Sequence, residues 1–230
     1  MKEFFLSTRI FKKLGSSENE INAQLKDLEI FIKDIAEIDP IFSNWYVNKA
    51  SESSFKAPLD YPFPSDIAKN YLFNLKKNDD LESYLLWNGL EEKKSYASFN
   101  FDSFGLMVTF KKVLETEQII ELFKAFLKVL KFEYIYLNSY FFGDINVFPH
   151  RLETTSICYV PIKVDEKLMP HLYKIVDVNN DLNEGTILVF DEDWSDESNE
   201  MKKKVQENSL ALVELNVVPE AELPENFFES

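Results

Sequence analysis

The sequence predicts an α+β fold with a mainly antiparallel sheet, about four helices and a single domain over residues 1–230. Three observations carry this. The chain has 230 residues, 45% of them apolar and 15% aromatic, enough for a sizeable buried core. A few stretches repeat their apolar residues at helical spacing. The remaining apolar stretches are short, β-branched or aromatic, and often follow one another with no helix between, which favours antiparallel pairing over a doubly wound parallel sheet.

Residues 3–12 alternate and read as a first strand, ended by Gly15. Ser17 and Glu20 form a capping-box signature. Ile21, Leu25, Leu28, Ile32 and Ile35 then recur every three or four residues, giving a core-facing helix from Ser17 to Ile38, stopped before Pro40. Residues 39–47 are an aromatic-rich turn leading into extended chain, and 48–64, with Pro58, Pro62 and Pro64, read as a surface loop. Ser65 caps a second helix through Lys77, with Ile67, Ala68, Tyr71, Leu72 and Leu75 on one side.

Strands are expected at 82–87, 95–101 and 105–113, then a well-buried helix from Thr116 to Leu130. Further strands are expected at 132–140, 157–164, 172–178 and 186–190. Ser195 or Ser198 opens a polar helix to about Glu207, and 210–218 reads as a last strand before a Glu-rich tail.

Charge is unevenly placed. The chain carries −15, from 40 acidic and 25 basic residues. Residues 1–174 are nearly balanced, with 25 acids and 22 bases, whereas 175–230 hold 15 acids and three bases, the adjacent Lys202, Lys203 and Lys204. No basic residue occurs from Ile175 through Met201. Such a surface repels nucleic-acid phosphates and anionic membranes and attracts basic proteins. No stretch has the length of a membrane span or the layout of a secretory signal, so the expected location is the cytoplasm.

The residues offer no catalytic constellation, cofactor motif or metal cluster. The five glycines are too scattered for a phosphate-cradling loop. The one cysteine, Cys158, excludes an intrachain disulfide framework and sits in the apolar run Ile157–Val160, where a thiol is inert. His150 and His171 lack metal-ligand spacing. The calcium-loop-like run Asp177–Asp181 has Leu182 where the loop needs glycine and Leu188 where it needs glutamate, so it reads as a turn.

What remains is Asp191-Glu192-Asp193-Trp194-Ser195-Asp196-Glu197, five carboxylates around one tryptophan at a strand–helix junction. Asp196 and Glu197 suit a helix N-terminus. Asp191, Glu192 and Asp193 suit it less, and a tryptophan rimmed by acids has the composition of an interface anchor. Both readings stand at this point. The candidate partner-binding residues are Asp191, Glu192, Asp193, Trp194, Asp196 and Glu197. The function expected from residues alone is non-enzymatic binding of a basic protein. A cytoplasmic adaptor or scaffold, or a hydrolase using dispersed carboxylates and His150, are the other classes.

The order of elements carries a resemblance. A short strand leads to Arg9, a long amphipathic helix follows, then Ile38-Asp39-Pro40-Ile41-Phe42-Ser43-Asn44-Trp45-Tyr46. This resembles the immunity protein 52 family of bacterial polymorphic toxin systems, most densely over residues 4–47. Arg9 here follows Phe5-Leu6-Ser7-Thr8 where the family has Tyr-Trp-Gly, and no role is carried over to it. The resemblance implies a non-catalytic immunity protein that neutralises a cognate toxin by stoichiometric binding. Such a toxin is delivered between cells, type VI secretion included, and a nuclease with a basic groove is the implied class.

Overall fold

Among the described residues ten strands join one sheet, most of them where apolar residues alternate along the chain. The computed structural model describes residues 2–47, 61–78, 83–90, 95–103 and 105–221. Its strands are β1 (Phe4–Ile10), β2 (Trp45–Val47), β3 (Tyr61–Phe63), β4 (Tyr84–Trp87), β5 (Ala97–Phe101), β6 (Leu106–Phe110), β7 (Phe132–Asn138), β8 (Ile157–Val160), β9 (Lys174–Asn179) and β10 (Glu184–Val189). The helices are α1 (Glu18–Ala36), α2 (Asp66–Lys77), α3 (Thr116–Val129), α4 (Tyr140–Asp144) and α5 (Asn199–Glu214). Strand order is β3-β2-β4-β5-β6-β1-β7-β8-β10-β9, and every pairing is antiparallel. The α+β antiparallel fold expected from the sequence is the fold observed.

The first strand is the hinge of this order. β1 lies between β6 and β7, joining an N-terminal set of strands to a C-terminal set. Leu6 stands opposite Val108 on one side and Leu137 on the other, and Phe4 stands opposite Phe110. These residues turn to the same face and are buried under α1 and α3. Residues of the opposite register, Tyr134, Tyr136, Cys158, Val160 and Leu188, form a second core covered by Phe142 of α4 and by Met201, Val205 and Leu212 of α5. The period of two therefore feeds two cores, one on each face of the sheet.

The long first helix follows from its caps and its stripe. Ser17 Oγ accepts from the Glu20 amide, Glu20 reaches back to the Ser17 amide, and Ile21, Leu25, Leu28, Ile32 and Ile35 are buried. Phe31 joins them, meeting Phe99 and Phe126 at ring separations of 5.3 and 4.6 Å. After the helix, Asp39 Oδ1 accepts from the Ile41 amide at 3.0 Å, starting a short 3-10 turn, and Trp45 Nε1 donates to the Phe42 carbonyl at 2.8 Å.

Several expectations need correction. The strand expected at 210–218 is absent: α5 runs unbroken from its Ser198 cap to Glu214. Its inward positions are Met201, Val205, Asn208, Ser209 and Leu212, and the two buried polar residues hide the helical stripe from a reading of apolar spacing. Asn208 earns its burial by exchanging hydrogen bonds with the His171 backbone, at 3.0 and 2.7 Å. Five helices are described where about four were expected, because the end of the 132–140 stretch turns into α4. In α2, Ile67 is exposed while Ala68 and Leu72 are buried. Part of the expected 48–64 loop is strand β3; positions 48–60, residue 82 of the 82–87 strand and the tail from 222 lie outside the described residues.

Candidate functional site

The segment 191–197 is built by its own carboxylates. Asp191 Oδ1 accepts from the Asp193 amide at 3.0 Å. Asp193 Oδ1 accepts from the Ser195 amide at 3.2 Å and its hydroxyl at 3.0 Å. Asp196 Oδ1 accepts from the Ser198 amide at 3.1 Å, and Ser198 Oγ then caps α5 through the Met201 amide. Three aspartates thus each bond a backbone two residues on, the turn chemistry that short acidic side chains favour. Asp191 also pairs with Lys204 at 2.6 Å, and Lys204 with Glu200 at 2.9 Å.

Trp194, which the sequence offered as an interface anchor, is buried within the fold. It is 2% exposed, its ring meets Phe4 edge-on at 4.7 Å, and Nε1 donates to the Leu114 carbonyl at 3.0 Å. Its own carbonyl accepts from Ser156 Oγ at 2.6 Å. A large apolar side chain whose one polar atom finds a buried partner is better placed inside than in water. Trp194 therefore holds the acidic segment against the sheet.

Sequence reasoning missed the apolar group that does face outward here. Val113, in the loop between β6 and α3, is 54% exposed. Together with Leu114, Glu115, Thr116 and residues 191–194 it lines an open cleft of about 380 Å³. Thr116 Oγ1 donates to the Glu192 carbonyl at 2.7 Å, tying the two loops together. Glu115, Glu192, Asp193 and Glu197 are exposed, and Asp191 and Asp196 half-buried. Lys2 reaches the same region, donating to the Ser195 carbonyl at 2.7 Å and lying 3.6 Å from Glu197. The surface is a small apolar centre with an acidic rim, only partly neutralised by Lys2 and Lys204. Two neighbouring loops far apart in sequence make it, so no local motif announced Val113.

The remaining sequence candidates are placed separately. His150 is exposed beside Phe148, whereas the His171 ring bonds Glu207 on α5. Cys158 is fully buried in β8, and burial pushes its thiol up to about 12, with a hydrogen bond to Tyr134 opposing. Arg9 lies beside the C-terminal segment, where Nη2 donates to the Glu220 carbonyl at 3.4 Å. The Asp177–Asp181 run, expected as a turn, is the end of β9 through Asn179, and the turn proper follows at residues 180–183, organised by Asn180 and Asn183. Asn183 Nδ2 donates to the Leu127 and Leu130 carbonyls, each at 2.7 Å, and its Oδ1 accepts from Phe132. It thereby closes the end of α3. Among the described residues, no group of three or more histidines, cysteines or acids is arranged to hold a metal.

No protein-family model matches the chain, and no curated protein matches it in sequence. No helix among the described residues is long and apolar enough to cross a membrane.

Proposed function

We propose that this chain is an immunity protein, which binds and neutralises a cognate bacterial toxin in the cytoplasm by stoichiometric contact. The observation that carries the binding half of this reading is the cleft in which the exposed Val113 sits among Glu115, Asp191, Glu192 and Asp193, with Asp196 and Glu197 following in the same segment. Opposed charge steers a basic partner toward the patch, and the apolar centre holds it by excluding water. The region with 15 acids and three bases supplies the long-range field.

The toxin half rests on the resemblance of residues 4–47 to the immunity protein 52 family. A nuclease is the favoured toxin, since its groove must be basic to hold phosphates. The acidic surface then covers that groove or docks beside it.

Co-expression of this chain with the product of the neighbouring gene tests the reading. The expected result is a stable one-to-one complex and survival of cells that the product alone kills. A complex without protection points to an adaptor. Protection lost on changing His150 to alanine, with folding and complex formation intact, points to an enzyme.

A further inference from the structure

β9 is the outermost strand on its side of the sheet, with β10 its only neighbour among the described residues. It runs six residues, Lys174–Asn179, without a proline. The Asn180 amide donates to the Asn183 carbonyl at 3.0 Å, and this fixes the alternation along the hairpin. Backbone groups of Val178 and Val176 face β10, while those of Ile175, Asp177 and Asn179 point away from the sheet. Asp177 and Asn179 are exposed, and Ile175 and Val176 are half-buried.

Free edges are usually blunted by proline, shortness or inward charge. The opposite edge shows two of these: β3 has three residues, with Pro62 at its centre. β9 is neither short nor broken by proline, and its two charges are Lys174, held by Glu117 of α3, and the exposed Asp177.

We propose that the β9 edge receives an extended, alternately apolar and basic segment of a partner protein, which joins the sheet as a further strand. Main-chain bonds to Ile175, Asp177 and Asn179 supply the affinity, and Asp177 selects a positive side chain beside it. Charge decides the occupant. The chain carries −15, and no base occurs from Ile175 through Met201, so a second copy is repelled where a basic segment is drawn in. The edge is also continuous with the acidic surface. Glu117 contacts β9, and its neighbour Thr116 bonds Glu192, so one partner can span both. This inference rests on the reading of the chain as the binder of a basic protein.

The test is a titration of the isotopically labelled full chain with an end-blocked synthetic peptide of alternating valine and lysine, followed by amide resonances. The expected result is shifted and solvent-protected amides at Ile175, Asp177 and Asn179. A peptide with glutamate for lysine, or with methylated edge-facing amides, should bind on the order of tenfold or more weakly. Asp177→Pro removes an outward donor without touching the β10 ladder and should weaken the lysine peptide comparably, while Asp177→Asn should retain most of the binding. The proposal is overturned if the outward amides do not respond at millimolar peptide, if the methylated peptide binds equally, or if the free chain self-associates through β9. Peptide capture without protection from the toxin would keep the edge and discard the toxin. Undiminished protection by Asp177→Pro would do the reverse.

Discussion

The indole nitrogen of Trp194 donates to the carbonyl oxygen of Leu114 at 3.0 Å, fastening the loop after β10 to the loop before α3. These two loops make the acidic cleft, so its shape depends on an almost wholly buried residue. Trp194→Ala should cost ~3–5 kcal/mol in denaturant unfolding, the range for deleting a buried aromatic. It should weaken partner binding only as far as it unfolds or loosens the cleft. A stable variant with sharply faster dissociation would instead return Trp194 to the interface.

The core beneath α1 is tested at Leu28, which is buried. Leu28→Ala should lose ~2–5 kcal/mol. A loss well below about 1 kcal/mol, typical of surface changes, would show that this face is not packed.

Helix α5 gives a paired test of its conformation. In a strand, Leu210 and Leu212 would share a face; in α5, Leu212 is buried and Leu210 is 49% exposed. Leu212→Ala should cost ~2–5 kcal/mol and Leu210→Ala only about 0.5 kcal/mol. Equal losses would argue for strand pairing in this region.

Asp39 links stability to pH. Burial raises its carboxyl, but hydrogen bonds from Lys112, the Ile41 amide and Gln118 together outweigh this and hold it below the usual carboxylate range. A lowered folded value means the contribution is present above the unfolded value of about 3.9 and is lost as pH falls through the folded value. Asp39→Ala should cost about 1–3 kcal/mol at neutral pH by leaving the Ile41 amide unpaired. Its stability should also fall less steeply than the native chain's below pH ~4. Parallel acid limbs would remove Asp39 from the account.

Much of the architecture could be read from the chain because local signals agreed with the final packing. Ser17, Glu20 and the Ile21–Ile35 stripe point to α1 at every level, and Leu106, Val108 and Phe110 alternate as a strand with one buried face must. The failures share a cause. Asn208 and Ser209 are buried, and Asn208 finds its partner, the His171 backbone, across the fold, invisible in a window of neighbours. Trp194 has the same problem in reverse: acids flank it in sequence, yet Phe4 and Leu114, from distant segments, bury it. The acidic character of the site was legible; its apolar centre, Val113, was not, because the two loops meet only in the folded chain.

The turn bonds of Asp191, Asp193 and Asp196 also determine how the surface must be probed, since reversing them disrupts the segment itself. Glu192 and Glu197 are exposed and Glu197 pairs only at the surface with Lys2, so Glu192→Lys with Glu197→Lys reverses charge and loses that pair while leaving the turn bonds of the three aspartates in place. The most direct measurement is the association rate of this double variant with the neighbouring-gene product, over a range of ionic strength. The comparison is a double reversal of the exposed Asp66 and Glu121, on α2 and α3. A local acidic interface predicts a fall of roughly tenfold or more at low salt, with a flatter salt dependence, for the first variant and little change for the second. Equal falls in both would mean that overall charge alone steers the partner. Native rates in the first variant and a large fall in the second would place the interface elsewhere and contradict the account.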